Sequence, residues 1–147
     1  MILSQLLEDT KQGLLDIKQH DLLAMQQSSD WQNKYRILML LGKKLPIIPE
    51  KMKQAEFLVK GCEVRAWLMH YHDQIDDKHF FVLDSDARIV KGLMAIMLSL
   101  VNGLTSAELK KFDLTHAFDQ LKLKPYLSQS RGNGLNAMMT KIKSYTQ

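Results

Sequence analysis

Residues 64–84 of this chain are VRAWLMHYHDQIDDKHFFVLD, two β-rich runs separated by a short polar segment. The runs 64–72 and 79–84 are rich in aromatic and β-branched residues, whereas DQIDDK (73–78) has the composition of a turn. A shorter β-rich run, EFLV (56–59), precedes them. Together the three runs predict a small three-stranded antiparallel sheet.

Helical patterns surround this β-rich third of the chain. Apolar spacing and capping signals predict helices over 2–27, 31–42, 84–103, from 105, from 113, and from Ser128 or Ser130 towards the end. The connection 43–53 contains two prolines, so it is expected to be irregular. Helices, then strands, then helices predict an α+β domain in which helices pack against the sheet.

The length and composition are those of a single globular domain spanning 1–147. Of the 147 residues, 46% are hydrophobic and 24% charged, which is enough apolar surface to fold without a disulfide or a metal. The one cysteine excludes an internal disulfide, and it excludes an iron–sulfur cluster held by four thiolates of this chain. A lone cysteine also favours a reducing, cytoplasmic setting.

Export, membrane insertion and nucleic-acid binding are not favoured by the sequence. The N-terminus carries Glu8 and Asp9 where a signal peptide would be apolar. The most apolar stretch, 92–101, is half as long as a membrane-spanning helix requires. The net charge of +4 comes from scattered lysines and only four arginines, so we expect a solvated basic surface without a nucleic-acid partner.

A pair of histidines in the β-rich region raises a metal hypothesis. His70 and His72 would share one face of a strand, and Asp73, Asp76 and His79 lie nearby in the chain. Nothing in the sequence determines a third ligand, and polar residues are common at strand ends. We therefore expect no metal site here, only a solvated strand end.

The single cysteine, Cys62, lies in LVKGCEVRAW (58–67). Gly61 interrupts the strand pattern, which predicts a bend or bulge beside the thiol. A buried thiol acting as a small hydrophobe and a functional thiol activated by one of the five histidines both remain open, and no local catalytic-cysteine signature is present.

Arg88 and Arg131 fall in the first turns of predicted helices, where the helix dipole disfavours cations, so each is expected to have a compensating partner such as an acidic loop.

Four motifs in order resemble the SufE/CsdE family of sulfur acceptors. They are Trp31-x-x-x-Tyr35 leading into LGKKLP (41–46), Val59-x-Gly-Cys with Trp67 five residues after the cysteine, FFVLDSDARIVKGL (80–93), and LSQSRGNGLNAM (127–138). The resemblance covers 22–145 and implies a SufE/IscU-like fold, with 1–21 as an N-terminal helical extension. Val64, Ala66 and Lys34 depart from the family pattern, which puts partner preference in doubt more than sulfur chemistry.

The resemblance implies a function for Cys62. Family members accept persulfide sulfur from a PLP-dependent cysteine desulfurase (SufS/CsdA-like), stimulate it, and pass the sulfur to an Fe–S scaffold or another acceptor. It implies that Cys62 is the acceptor and that the following residues frame its loop or bind the partner: Gly61, Glu63, Arg65, Asp84, Arg88 and Arg131. No cofactor is expected on this chain, which would be a monomer or weak homodimer and an activator, not itself an enzyme. A stand-alone thiol enzyme and a non-catalytic binding module with a buried thiol are the alternatives.

Overall fold

The computed structural model describes residues 2–61 and 63–146 of the chain, and in these residues an antiparallel β-hairpin is surrounded by helices. The α-helices are α1 (Ile2–Asp16), α2 (Leu22–Gln27), α3 (Trp31–Leu41), α4 (Arg88–Val101), α5 (Ser106–Lys111), α6 (Leu114–Gln120) and α7 (Gln129–Ser144). The strands are β1 (Ala66–Asp73) and β2 (Lys78–Ser85). The predicted α+β class is confirmed.

The two strands form a regular hairpin. Their register runs from Ala66 opposite Ser85 to Asp73 opposite Lys78, as the polar segment between the two β-rich runs predicts. The Asp73 carboxylate accepts a hydrogen bond of 3.0 Å from the backbone N–H of Ile75, which stabilises the turn.

The prediction of a third strand is wrong for the described residues. Residues Ala55–Phe57 form a short 3₁₀ turn, and Leu58 makes a single bridge to Trp67. Val59 donates one further hydrogen bond, of 2.9 Å, to the carbonyl of Ala66. Gly61 then has φ +88°, a conformation outside the β region, so the pairing with β1 does not continue beyond Val59.

The inner face of the hairpin packs on α4, which is buried on almost every side. Leu68 and Phe81 on the hairpin and Leu93 on α4 belong to the main core and are fully buried. The helix predicted over 84–103 forms from Arg88 to Val101, because Asp84 and Ser85 belong to β2 and the N-cap residue is Ala87.

The outer face of the hairpin is covered by the N-terminal helix and the 45–52 connection. Leu6 of α1 and Ile48 join Trp67, Met69 and Val82 in a second buried cluster. The predicted helix over 2–27 forms with one irregularity, a π-helical turn between α1 and α2. The N-terminal extension is therefore part of the hydrophobic packing and buries strand side chains that would otherwise face solvent.

Side chains cap the later helices where the sequence predicts. Thr105 and Glu108 form a reciprocal capping box at the start of α5, and the Ser128 hydroxyl accepts a hydrogen bond from the Arg131 backbone at the start of α7. Among the described residues, no helix is long and apolar enough to cross a membrane.

Candidate functional site

The loop of residues 60–65, here called the cysteine loop, follows Leu58 and Val59, which pair with Trp67 and Ala66, and leads into β1. Cys62, the predicted acceptor, lies outside the described residues. Gly61 is exposed and has φ +88°, a left-handed conformation that costs other residues about 1–2 kcal/mol. The bend predicted beside Cys62 is confirmed at Gly61, where the left-handed backbone conformation favours glycine.

A groove of about 460 Å³ begins at the cysteine loop and runs between the starts of α4 and α7. Its walls are formed by Tyr35, Met39, Glu63, Val64, Ala87, Arg88, Ile89, Val90, Ser128, Ser130, Arg131 and Gly134. We call it the loop groove. Three of the predicted site residues, Glu63, Arg88 and Arg131, are therefore brought together on one surface from segments distant in the sequence.

The two arginines lie in the first turns of α4 and α7, as predicted. Arg131 donates a hydrogen bond of 3.1 Å from Nη1 to the carbonyl of Tyr126. The predicted acidic partner is thus replaced, for Arg131, by a backbone carbonyl that offsets the unfavourable helix dipole. Arg88 also lines the loop groove, so two arginines share this groove with Tyr35 and Met39.

Arg65 anchors the far end of the cysteine loop. Its guanidinium pairs with Asp86 at 2.7 Å (Nη2 to Oδ2), and it lies 5.4 Å from the centre of the Trp67 ring. The carbonyl of Arg65 accepts a hydrogen bond of 2.8 Å from the Ser85 hydroxyl. These contacts join the end of the loop to the end of β2.

Asp84 does not line the loop groove. Its carboxylate is buried and accepts hydrogen bonds from the backbone N–H groups of Ile48 and Ser85, both at 2.8 Å. Lys91 on α4 lies 3.0 Å from the same carboxylate. Asp84 therefore joins the 45–52 connection, β2 and α4. Its role is to position these segments, at a distance from the cysteine loop.

Lys141 is a neighbour of the cysteine loop that the sequence analysis missed. Its ammonium donates hydrogen bonds to the carbonyls of Glu56, at 3.2 Å, and Leu58, at 3.4 Å. Burial, with a smaller effect of Lys60, lowers the pKa of Lys141. A Cβ atom on Gly61 would lie 3.5 Å from Cβ of Ala137, so α7 runs beneath the loop. Lys141 follows the last family-like motif, and no local pattern distinguishes it from the other lysines.

The histidines at the end of the hairpin are not simply solvated, contrary to our expectation. His79 is fully buried, with Nδ1 2.8 Å from Nε2 of His70 and Nε2 2.8 Å from the Ser106 hydroxyl. His72 lies 2.7 Å from the Asp77 carboxylate. Burial lowers the pKa of His70 to about 4. The hydrogen bond from His72 is the main cause that lowers the pKa of Asp77 to about 2.

Comparison with known proteins agrees with the four motifs. Residues 20–146 match the SufE family, described as an Fe-S metabolism associated domain. The chain is 42% identical over 119 residues to the sulfur acceptor protein CsdE of Escherichia coli K12, covering 81% of this chain and 80% of that protein. It is 38% identical over 117 residues to an uncharacterized SufE-like protein of Rhizobium meliloti, covering 78% and 84%. A SufE-like protein of Rhizobium etli is 37% identical over 117 residues, covering 78% of each chain.

The matched region includes the hairpin, the residues that line the loop groove and the cysteine loop, and it leaves out α1. With a family match over most of its length and a relative of 42% identity, this chain belongs to the SufE family.

Proposed function

We propose that this protein is a sulfur acceptor that takes persulfide sulfur from a PLP-dependent cysteine desulfurase onto Cys62. The observation that carries the proposal is the 42% identity to a protein named as a sulfur acceptor, together with the single cysteine of the chain within the family's Gly-Cys motif. In this role the protein stimulates the desulfurase and passes the sulfur to iron–sulfur cluster assembly or another acceptor. A reducing compartment such as the cytoplasm suits this chemistry.

The transfer is a displacement at sulfur. The Cys62 thiolate attacks the outer sulfur of the desulfurase persulfide, a new S–S bond forms, and the old S–S bond breaks. The desulfurase cysteine leaves as a thiolate, and the outer sulfur keeps its proton on Cys62. No electron is gained or lost overall, so the step needs no cofactor on this chain, and PLP remains on the partner.

The loop groove suits the docking of such a partner. Arg88 and Arg131 provide positive charge next to the loop, which favours anionic sulfur species and acidic side chains of a partner. Tyr35 is exposed and Met39 half-buried, and they offer apolar contact in the same groove. Glu63 and Gly61 belong to the loop that must reach the partner, whereas Arg65 and Asp84 hold its surroundings in place.

Intact-protein mass spectrometry after incubation with a cysteine desulfurase, PLP and cysteine tests the acceptor role. We expect the wild-type chain to gain one sulfur atom and the Cys62→Ser variant to gain none, with faster desulfurase turnover only for the wild type. No gain with several desulfurases of this class would contradict the proposal. Turnover of a small substrate without desulfurase would favour a thiol enzyme, and indifference to Cys62→Ser would favour a binding module.

Arginine variants test the loop groove. Arg88→Ala and Arg131→Ala are each expected to weaken stimulation of the desulfurase about tenfold, equivalent to about 1.4 kcal/mol. Arg36→Ala is the matched control, because Arg36 is exposed on α3 and hydrogen-bonds Asn33 outside the groove. Equal activity of all three variants would show that the groove does not take part in docking.

A further inference from the structure

A second chemically distinctive cluster lies at the closed end of the hairpin. It consists of His70 and His72 on β1, Asp77 in the turn, His79 on β2 and Ser106 at the start of α5, and we call it the hairpin-end cluster. Its nearest member, His70, lies five residues along β1 from Arg65 at the end of the cysteine loop, about 17 Å of extended chain. Its role is therefore independent of sulfur acceptance by Cys62.

Three potential metal ligands meet in this cluster. Nε2 of His72 lies 2.7 Å from Oδ1 of Asp77, and Nε2 of His79 lies 3.7 Å from the same oxygen. All three ligand atoms lie within 4.8 Å of one another. Zinc at about 2.0–2.1 Å from each of its ligands places tetrahedral ligand atoms about 3.4 Å apart, between the two observed separations.

The surroundings of His79 resemble the outer shell of a metal site. His79 is fully buried, and its Nδ1 lies 2.8 Å from Nε2 of His70. With the proton of His79 on Nδ1 and donated to His70, Nε2 presents its lone pair to Asp77 and His72. His70 is itself held against Tyr145, with ring centres 4.0 Å apart.

We propose that His72, Asp77 and His79 bind one divalent first-row transition metal ion, with Zn²⁺ as the best fit to two imidazoles and a carboxylate. The Ser106 hydroxyl, 2.8 Å from both His79 Nε2 and Asp77 Oδ1, or a water molecule completes the tetrahedron. The third ligand, which the sequence pattern does not determine, is Asp77 of the turn, and the start of α5 contributes Ser106.

Binding requires one side chain to move. The rings of His72 and His79 are stacked 4.1 Å apart and inclined by 10°, so their lone pairs do not yet converge. The His72 side chain is 32% exposed and can rotate, while the buried His79 stays in place. The metal replaces the hydrogen bond between His72 and Asp77 and connects both strands of the hairpin through its turn.

Zinc titration of the tag-free, metal-stripped full chain in competition with a chromophoric chelator tests the proposal. All variants are made on the Cys62→Ser background, so that the thiol does not bind the metal and sulfur transfer does not enter the readout. We expect one Zn²⁺ per chain, and Co²⁺ in its place should show the visible absorption of a tetrahedral site. His72→Ala and Asp77→Asn should each weaken binding at least tenfold.

The control is His116→Ala, which removes an exposed histidine on α6 and should leave the affinity unchanged. Circular dichroism of each variant establishes that it is folded, and Zn²⁺ should raise the melting temperature of the parent but not of His72→Ala. Absence of stoichiometric binding by the parent, or equal affinity of His72→Ala, Asp77→Asn and His116→Ala, would overturn the proposal.

Discussion

Replacing Asp84 with asparagine is the sharpest test of the buried network that joins the 45–52 connection, β2 and α4. The Asp84 side chain is 4% exposed, and its carboxylate accepts from two backbone N–H groups and from the Lys91 ammonium, whose side chain is 13% exposed. Asparagine keeps the size of the side chain but has one acceptor oxygen in place of two. At least one of these donors would then face an amide NH₂ group.

The expected cost follows from these contacts. A hydrogen bond to a charged group contributes about 1.5–3 kcal/mol, and a buried charge that loses its partner costs about 3–5 kcal/mol. We expect Asp84→Asn to lower the free energy of unfolding by about 3 kcal/mol, a large part of the roughly 5–15 kcal/mol typical of a domain. The melting temperature should fall by about 6–12 °C.

Urea unfolding monitored by circular dichroism measures this loss. The matched control is Asp86→Asn, which removes a carboxylate that is 45% exposed and paired with Arg65, itself 71% exposed. That surface pair should contribute less than about 1 kcal/mol. Lys91→Met, added to Asp84→Asn, should recover part of the lost stability because it removes the unpaired ammonium. Similar effects of Asp84→Asn and Asp86→Asn, within about 1 kcal/mol, would refute the reasoning.

Four further substitutions test the backbone and the core. Gly61→Ala should lower stability by about 1–2 kcal/mol because φ is +88°, whereas Gly132→Ala, in open space within α7, should raise it by about 0.5–1 kcal/mol in the same urea assay. Gly92→Ala would place Cβ 2.1 Å from a carbonyl oxygen of α3, so a loss of about 3 kcal/mol or more is expected, and an unchanged melting temperature would contradict this helix contact. Burial raises the pKa of Tyr126, whose hydroxyl donates to the carbonyl of Trp31. The contribution of this hydrogen bond to stability is therefore present below pH about 10 and lost above it. Tyr126→Phe should lower the free energy of unfolding by about 1 kcal/mol at neutral pH and by less at pH about 11. Urea unfolding at both pH values measures this difference.

Most helices of this protein could be predicted because their signals are local. The Thr105–Glu108 capping box, the Ser128 cap and the apolar pattern of α4 depend on residues within a few positions of each other, and each helix forms where these signals lie. The hairpin is equally local, since its turn directly follows β1. The failed third strand, by contrast, depended on a pairing partner and on the turn at Gly61, which local composition does not reveal.

The sequence by itself determined the α+β class, the hairpin, the bend at Gly61 and the family motifs around Cys62. Only the tertiary structure decided that Arg88 and Arg131 share a groove with Glu63, that Asp84 lies in a separate buried network, and that Asp77 and Ser106 reach His79. Periodicity reports which side of a helix or strand is buried. Which distant side chains meet is determined by how the elements pack, because each contact depends on the positions of two segments at once.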